Sequence, residues 1–493
     1  VRHLLTVTAV AVWLVMAALL VARQRPAPGL DATGLAAAPI EAGDGREEWF
    51  GLYQGEHKVG HARRVTTRID DGWRFRDEST FVLAMLGTPQ RVTTTLDAET
   101  DATFALRRFQ FVLTSPAATF AATGHSDGRT LEARYGVEGR GDTLILPLAE
   151  PIHLPGMLRP RIAAASPEPG TRFAHEVLSP MTLRNEPVST LVEAREIVDG
   201  RQVLRLAEES QGMKARVWVA DDGRVVREEA QMGFMLRAEP REQALAGIDE
   251  AAPVDLAVST RIPLRGTVSA PRERARLVLR VTGEAASRIP QSPPRQRVAA
   301  GVLTVVRETP PAPGRAPSDV PSDVRAWLAP SPFIESDHPT IAARARAIVG
   351  DEADPVRRAE ALVRWVHERM TPEPTMTVPS AREVLRTMRG DCNEHAVLLA
   401  ALARAAGIPA RVAAGAVYLD DGFYYHAWTE LWLDGRWISA DPVFDQMPAD
   451  ATHVKLLEGG PERHLELAQV VGRLAFISVD DAAAGGVRKE GAS

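Results

Sequence analysis

Residues 389–412 read "RGDCNEHAVLLAALARAAGIPARV" and hold Cys392, the one cysteine in a chain of 493 residues. The stretch predicts a helix that opens at Cys392. Asp391 is placed to cap its first turn, Glu394 three residues on completes a capping box, and Gly407 and Pro409 end it. At the first helical position a thiol meets unpaired backbone N–H groups and the positive end of the helix dipole. Both favour a thiolate, and the N–H groups can donate to an oxyanion on an attacked carbonyl. A lone cysteine is more commonly a small buried hydrophobe. A nucleophile also needs a base within reach and a group that orients the base.

Residues 423–444, "FYYHAWTELWLDGRWISADPVF", supply both. Asp434-Gly435 is a two-residue hairpin signal. Pairing outward from it sets Leu433 opposite Arg436, Trp432 opposite Trp437, Trp428 opposite Asp441 and His426 opposite Val443. His426 and Asp441 then share a face as diagonal neighbours, about 7–8 Å apart along the backbone and within side-chain reach. A bulge would break this register. Taken singly, His426 reads as a packed strand histidine and Asp441, before Pro442, as a strand terminator. Cys392, His395, His426 and Asp441 together include zinc-binding types, but they lack the compact spacing of such sites. His395 reads instead as a support of the site or a helix-surface residue. Glu430 shares the candidate site face of the strand or points to solvent.

The remainder of the chain sets the context. Its length calls for two to four domains. Charged residues at 25%, hydrophobic residues at 45% and a net charge of -6 give no basic footprint, so nucleic acid is not an expected partner. One cysteine excludes an internal disulfide and leaves the compartment open. Abundant Ala, Arg, Pro and Gly point to GC-rich, bacterial coding. Leu4 to Ala22 form an apolar run of membrane-spanning length, followed by Arg23 and Arg25 rather than by a cleavage site. The expectation is an uncleaved anchor over 1–25 in the inner membrane, with the body in the periplasm.

A linker over 26–46 then leads into an antiparallel β-rich domain over 47–250. Turn signals such as "DDGW" and "ADDGR" there separate strand-like runs, and no cluster of catalytic residue types appears. Residues 251–308 read as a small β module, 309–326 as a Pro-rich linker, and 479–493 as a disordered tail. Between them, 327–478 begin with helical patterns at "HPTIAARARAIVG" and "DPVRRAEALVRWVHERM" and continue into strands. The expected class is therefore α+β.

From Ser331 to Gly459 the sequence resembles the transglutaminase-like superfamily, whose members share a papain-like α+β core and a Cys-His-Asp triad. The likeness rests on "RGDCNEHAVLLAALARAAGIPARVAAGAVY", "YYHAWTELWLDGRWISADPVFD" and "ADATHVKLLEG". It implies a triad of Cys392, His426 and Asp441, acyl-transfer chemistry and a protein or peptide substrate. Hydrolysis by a cysteine protease or amidase is the expected outcome. A glutamine transglutaminase forming isopeptide crosslinks and a non-catalytic binding module are the alternatives. The larger enzymes of the family use an upstream aromatic residue as second oxyanion donor, and nothing here aligns with it. No acidic calcium loop is present, so neither metal nor cofactor is implied.

Overall fold

A computed structural model describes Leu30–Asp31 and residues 45–479, apart from 86, 117–118, 138–139, 211–212, 249–252, 315–319, 376–379 and parts of 461–471. The first large unit is a fifteen-stranded sheet. Strands from Gly45–Gln54 to Arg140–Pro147 pair in chain order, and so do those from Arg172–Ser179 to Phe234–Ala238; the two runs join where Phe234–Ala238 pairs with Gly45–Gln54. Alternation along the strands accounts for the layer beneath. Trp73 and Phe75 are buried while Arg74 and Arg76 between and beside them are exposed, the period-two pattern of a half-buried sheet.

The second unit is a nine-stranded sheet. Its strands are β1 (Ile262–Arg265), β2 (Arg276–Thr282), β3 (Gln296–Ala299), β4 (Val302–Val306), β5 (Ala410–Leu419), β6 (Gly422–Leu433), β7 (Arg436–Ala440), β8 (Val454–Gly459) and β9 (Ala475–Ser478). They run in the order β3-β4-β2-β9-β1-β6-β5-β8, with β7 also paired to β6. Residues 251–308, expected as a small β module, thus contribute four strands to the sheet that carries the His426 hairpin. The join is made by β9, which lies between β2 and β1.

Helices α1 (Pro339–Val349), α2 (Pro355–Arg369), α3 (Ala381–Thr387) and α4 (Cys392–Ala405) cover this sheet. Asp354 caps α2 with Pro355 in its first turn, as expected. Leu398, Leu402, Val412, Leu431 and Ile438 belong to the shared core. α4 has no polar face: every residue from Glu394 to Arg404 is buried, which explains its continuous apolar composition.

The α+β class requires correction. Of the described residues 49% lie in strands and 20% in helices, a mainly β composition, because the longer helices are confined to 339–405 while strands make up the large sheet and extend through the second unit. The expected membrane helix at Leu4–Ala22 and the tail from 480 onward lie outside the described residues. Among the described residues no helix is long and apolar enough to cross a membrane. α2 has only 15 residues, short of the roughly 20 a bilayer requires.

Two consecutive residues couple the units. Phe333 enters the core of the large sheet against Phe120 and Tyr135, with ring centroids 6.1 and 5.8 Å away, whereas Ile334 belongs to the core of the helices. Phe333 adopts φ +71° to make this reversal. Phe333→Ala should therefore lower stability by about 3–5 kcal/mol. The expected result is a clear fall in urea midpoint, read by tryptophan fluorescence; a midpoint within error of the parent would show that the ring anchors nothing.

Candidate active site

α4 begins as its sequence dictates. The Asp391 carboxylate accepts from the Asn393 N–H at 2.8 Å, and the Glu394 carboxylate accepts from the Asp391 N–H at 2.9 Å, forming the expected capping box. Thr375 Oγ1 also donates to Glu394, at 3.0 Å. Gly390 precedes the cap with φ +152°, and a Cβ there would fall 2.3 Å from that of Glu394. The Gly-Asp pair before the cysteine is therefore fixed by two requirements, a glycine-only approach and a cap.

The hairpin register is the one the Asp434-Gly435 turn predicts as far as Thr429 and Ala440, where the ladder ends; the expected pairings of Trp428 with Asp441 and of His426 with Val443 do not form, and Asp441 bridges Gln446 instead. Leu433 pairs with Arg436, Trp432 with Trp437 and Thr429 with Ala440, without a bulge. Asp434 and Gly435 have φ of +51° and +70°, both positive as a type I′ turn demands. Beyond β7 the chain turns, and Asp441 is brought against His426, with His426 Nε2 2.8 Å from Asp441 Oδ2.

The same oxygen takes a second histidine. His453 Nε2 lies 2.8 Å from Asp441 Oδ2, and its Nδ1 faces Asp450 Oδ1 at 3.3 Å. Asp441, Asp450 and His453 are fully buried and His426 is nearly so. Trp428 and Phe444 wall the imidazoles, with centroids 6.3 and 5.4 Å from His426 and 5.3 and 6.0 Å from His453.

Burial opposes ionisation of Asp441, yet the charges and hydrogen bonds of His426 and His453 outweigh it and hold the carboxyl well below its ordinary range. Asp450 is likewise held low: burial opposes this, but His453, Thr452 and Arg272 prevail. For His453, burial disfavours the cation, while Asp441 and Asp450 raise its pKa overall. An ionised carboxylate can only accept, so both Nε2 atoms carry protons. His426 Nδ1 is thereby left as the nitrogen available to a thiol.

Cys392 is half-buried, and the Ala427 N–H, next to His426 on β6, is directed at its sulfur. The expected stabilised thiolate is not what the surroundings favour. Burial and the charges of Asp391, Glu394 and Asp441 push the thiol up, against the Ala427 N–H, which lowers it. Asp391 is itself raised by burial and by Glu394. These surroundings favour the thiol over the thiolate.

The four residues weighed for zinc do not converge. His395 is buried and its Nδ1 donates to the Asp391 carbonyl at 2.6 Å; burial lowers its pKa. Among the described residues the group spaced to hold a metal is His426, Asp441 and His453, whose ligand atoms lie within 4.8 Å of one another. Its two imidazoles present N–H groups to one carboxylate oxygen. That suits a proton-holding relay rather than a set of metal lone pairs. Glu430 is neither in the site nor in solvent: it is buried between Arg411 and Lys455, at 2.8 and 2.9 Å.

Nothing in the triad pattern marks His453, although "ADATHVKLLEG" contains it. The available signal was local: an Asp followed two residues later by Thr and three later by His makes a turn in which Asp450 Oδ1 caps the Thr452 N–H at 2.8 Å.

Two outcomes follow. Gly390→Ala should cost about 1–3 kcal/mol through strain at the cap and slow alkylation of Cys392; unchanged melting and alkylation would contradict the close approach. The pH dependence has two limbs. Asp441 and Asp450, depressed on folding, stabilise above the unfolded value of about 4 and lose this as pH falls further. His453, raised on folding, stabilises fully below about 6.5 and loses this as pH climbs through its folded pKa. Asp450→Asn should flatten the acid limb of a melting-temperature profile, and an unaltered limb would remove Asp450 from the network.

Comparison with known proteins places this geometry. Residues 342–442 match the Transglutaminase-like superfamily, a span that includes Cys392, His426 and Asp441 and stops short of His453. No curated protein matches the chain. Among solved structures, a candidate cysteine protease from Cytophaga hutchinsonii is 20% identical, covering 42% of this chain and 78% of its own, with a TM-score of 0.28. A β-barrel-like protein of domain of unknown function DUF1849 from Brucella abortus is 12% identical over 40% of this chain and 94% of its own, at TM-score 0.31. A candidate protease from Parabacteroides distasonis is 12% identical over 73% of this chain and 65% of its own, at 0.21. Superpositions this loose establish no shared activity. The segment 342–442, which contains Cys392, His426 and Asp441, is a domain of the transglutaminase-like superfamily.

Proposed function

We propose that this protein is a thiol-dependent acyl-transfer enzyme acting on amide or peptide bonds of protein or peptide substrates, with water as the final acceptor. The observation that carries the reading is the 2.8 Å bond from His426 Nε2 to a fully buried, ionised Asp441. That bond fixes the imidazole as the tautomer whose Nδ1 is a lone-pair base, one residue along β6 from Ala427, whose N–H is directed at the Cys392 sulfur.

In the proposed cycle His426 Nδ1 takes the thiol proton as Cys392 Sγ bonds to the carbonyl carbon. Asp441 stabilises the imidazolium, and the Cys392 backbone N–H at the mouth of α4 is the candidate donor to the oxyanion. The C–N bond then breaks, with the amine leaving on the proton returned by His426. A water, deprotonated by the same nitrogen, displaces the sulfur from the thioester and restores the thiol. A neutral resting thiol suits this sequence, since the proton moves only when the electrophile is in place.

A thiol-reactive peptide probe should label Cys392, and Cys392→Ala should abolish both labelling and turnover. Asp441→Asn, which permits the wrong tautomer, should lower kcat on the order of 10³- to 10⁴-fold with little change in KM. Added lysine-like amines test the acceptor: free acid as the main product supports hydrolysis, and isopeptide as the main product replaces it with transamidation. Turnover that survives Cys392→Ala would end the proposal.

A further inference from the structure

Arg295 lies far from the cysteine in sequence, just before β3, and is 4% exposed. Its guanidinium reaches two segments of the site at once. Nη1 pairs with the buried Glu308 and donates to Ser439 Oγ and the Ala449 carbonyl, each at 3.1 Å. Nη2 donates to the Asp450 carbonyl at 2.6 Å and lies 3.4 Å from that of His453. Glu308 completes the clasp by accepting from the Ser439 N–H and hydroxyl, both at 3.0 Å. Ser439 is two residues from Asp441 on β7, while Asp450 and His453 belong to the loop beyond.

The neighbouring Gln296 repeats the grip one step along. Its amide accepts from the Lys455 N–H at 2.8 Å and donates to the Lys455 carbonyl at 2.8 Å. From the other side Arg272 meets Asp450 Oδ2 at 3.1 Å and stacks over Phe444, 4.3 Å from the ring centroid. The 441–453 segment is irregular, so its buried carbonyls need donors that no ladder provides. A planar guanidinium with five N–H groups can serve several carbonyls at once, which the point charge of a lysine cannot.

We propose that Arg295 is a positioning residue of the site: by clasping the Ser439 strand to the Ala449–His453 loop, it sets the distance at which His426 and His453 meet on Asp441. The strands at 262–306 then belong to the working parts of the domain rather than to a spacer. The consequence for catalysis rests on the acyl-transfer reading above; the consequence for the imidazole pair does not.

The test uses the full chain in three forms: parent, Arg295→Met, and Arg295→Lys as the charge-conserving form. The first readout is the low-field proton resonances of imidazole N–H groups hydrogen-bonded to Asp441, assigned through His426→Gln and His453→Gln. The second is the pH profile of Cys392 alkylation. Arg295→Met, with circular dichroism matching the parent, should lose or shift both resonances upfield. It should also slow alkylation at neutral pH by at least tenfold, with the profile displaced to higher pH. Arg295→Lys should recover melting temperature more than it recovers the resonances. If Arg295→Met does not fold, Glu308→Gln takes its place with the same readouts, which should shift in the same direction. Resonances and profile unchanged in a folded variant would reduce Arg295 to a structural role and overturn the proposal. Resonances lost while the alkylation profile of the parent proves insensitive to His426→Gln would keep the positioning role and sink the enzymatic reading instead.

Discussion

One buried carboxylate oxygen organises this domain. Asp441 Oδ2 receives N–H groups from His426 and His453, each at 2.8 Å, in a place with no exposure to water. An unpaired charge at such a depth would be strongly destabilising, and two donors with partial or full positive charge make it tolerable. The remaining arrangement follows from that demand. β6 and β7 must be in register to bring His426 to Asp441, the loop before β8 must return His453, and Trp428 and Phe444 must exclude solvent so that the attraction is not screened.

The same logic changes the picture of the thiol. A helix mouth by itself favours a thiolate, and that was the expectation from sequence. Asp391, Glu394 and Asp441 surround the helix start, however, and with burial they hold the proton on sulfur. The capping box that starts α4 therefore works against spontaneous ionisation of the residue it presents. A thiol disfavoured as thiolate is less open to oxidation, because reactivity follows thiolate character.

What could be read in the sequence was what local rules control. The cap at Asp391, the Asp434-Gly435 turn and the helix patterns at 339 and 355 are short-range signals, and the structure follows them. The approach of Asp441 to His426 was legible in part: a two-residue turn leaves the hairpin one register, which carries the chain to Ala440, while the turn that follows makes the final contact. Three things were not legible in any one segment. The mainly β character of the chain lies in the strand patterning over 47–250, while the helix patterns within 327–478 alone point to an α+β class. Incorporation of 262–306 into the sheet that carries His426 depends on β9, which arrives from 475–478, and no local signal specifies so distant a partner. Arg295 and His453 become site residues only through such long-range closure.

The central claim is that His426, oriented by Asp441, controls the proton on Cys392. The most direct measurement is the rate of Cys392 alkylation across pH 5 to 10 in the parent and in His426→Gln, with both shown to be folded. The account predicts appreciable reaction near neutrality in the parent and, in the variant, reaction only at pH above the ordinary thiol range of about 8.5, where the raised thiol ionises unaided. Superimposable profiles would contradict it.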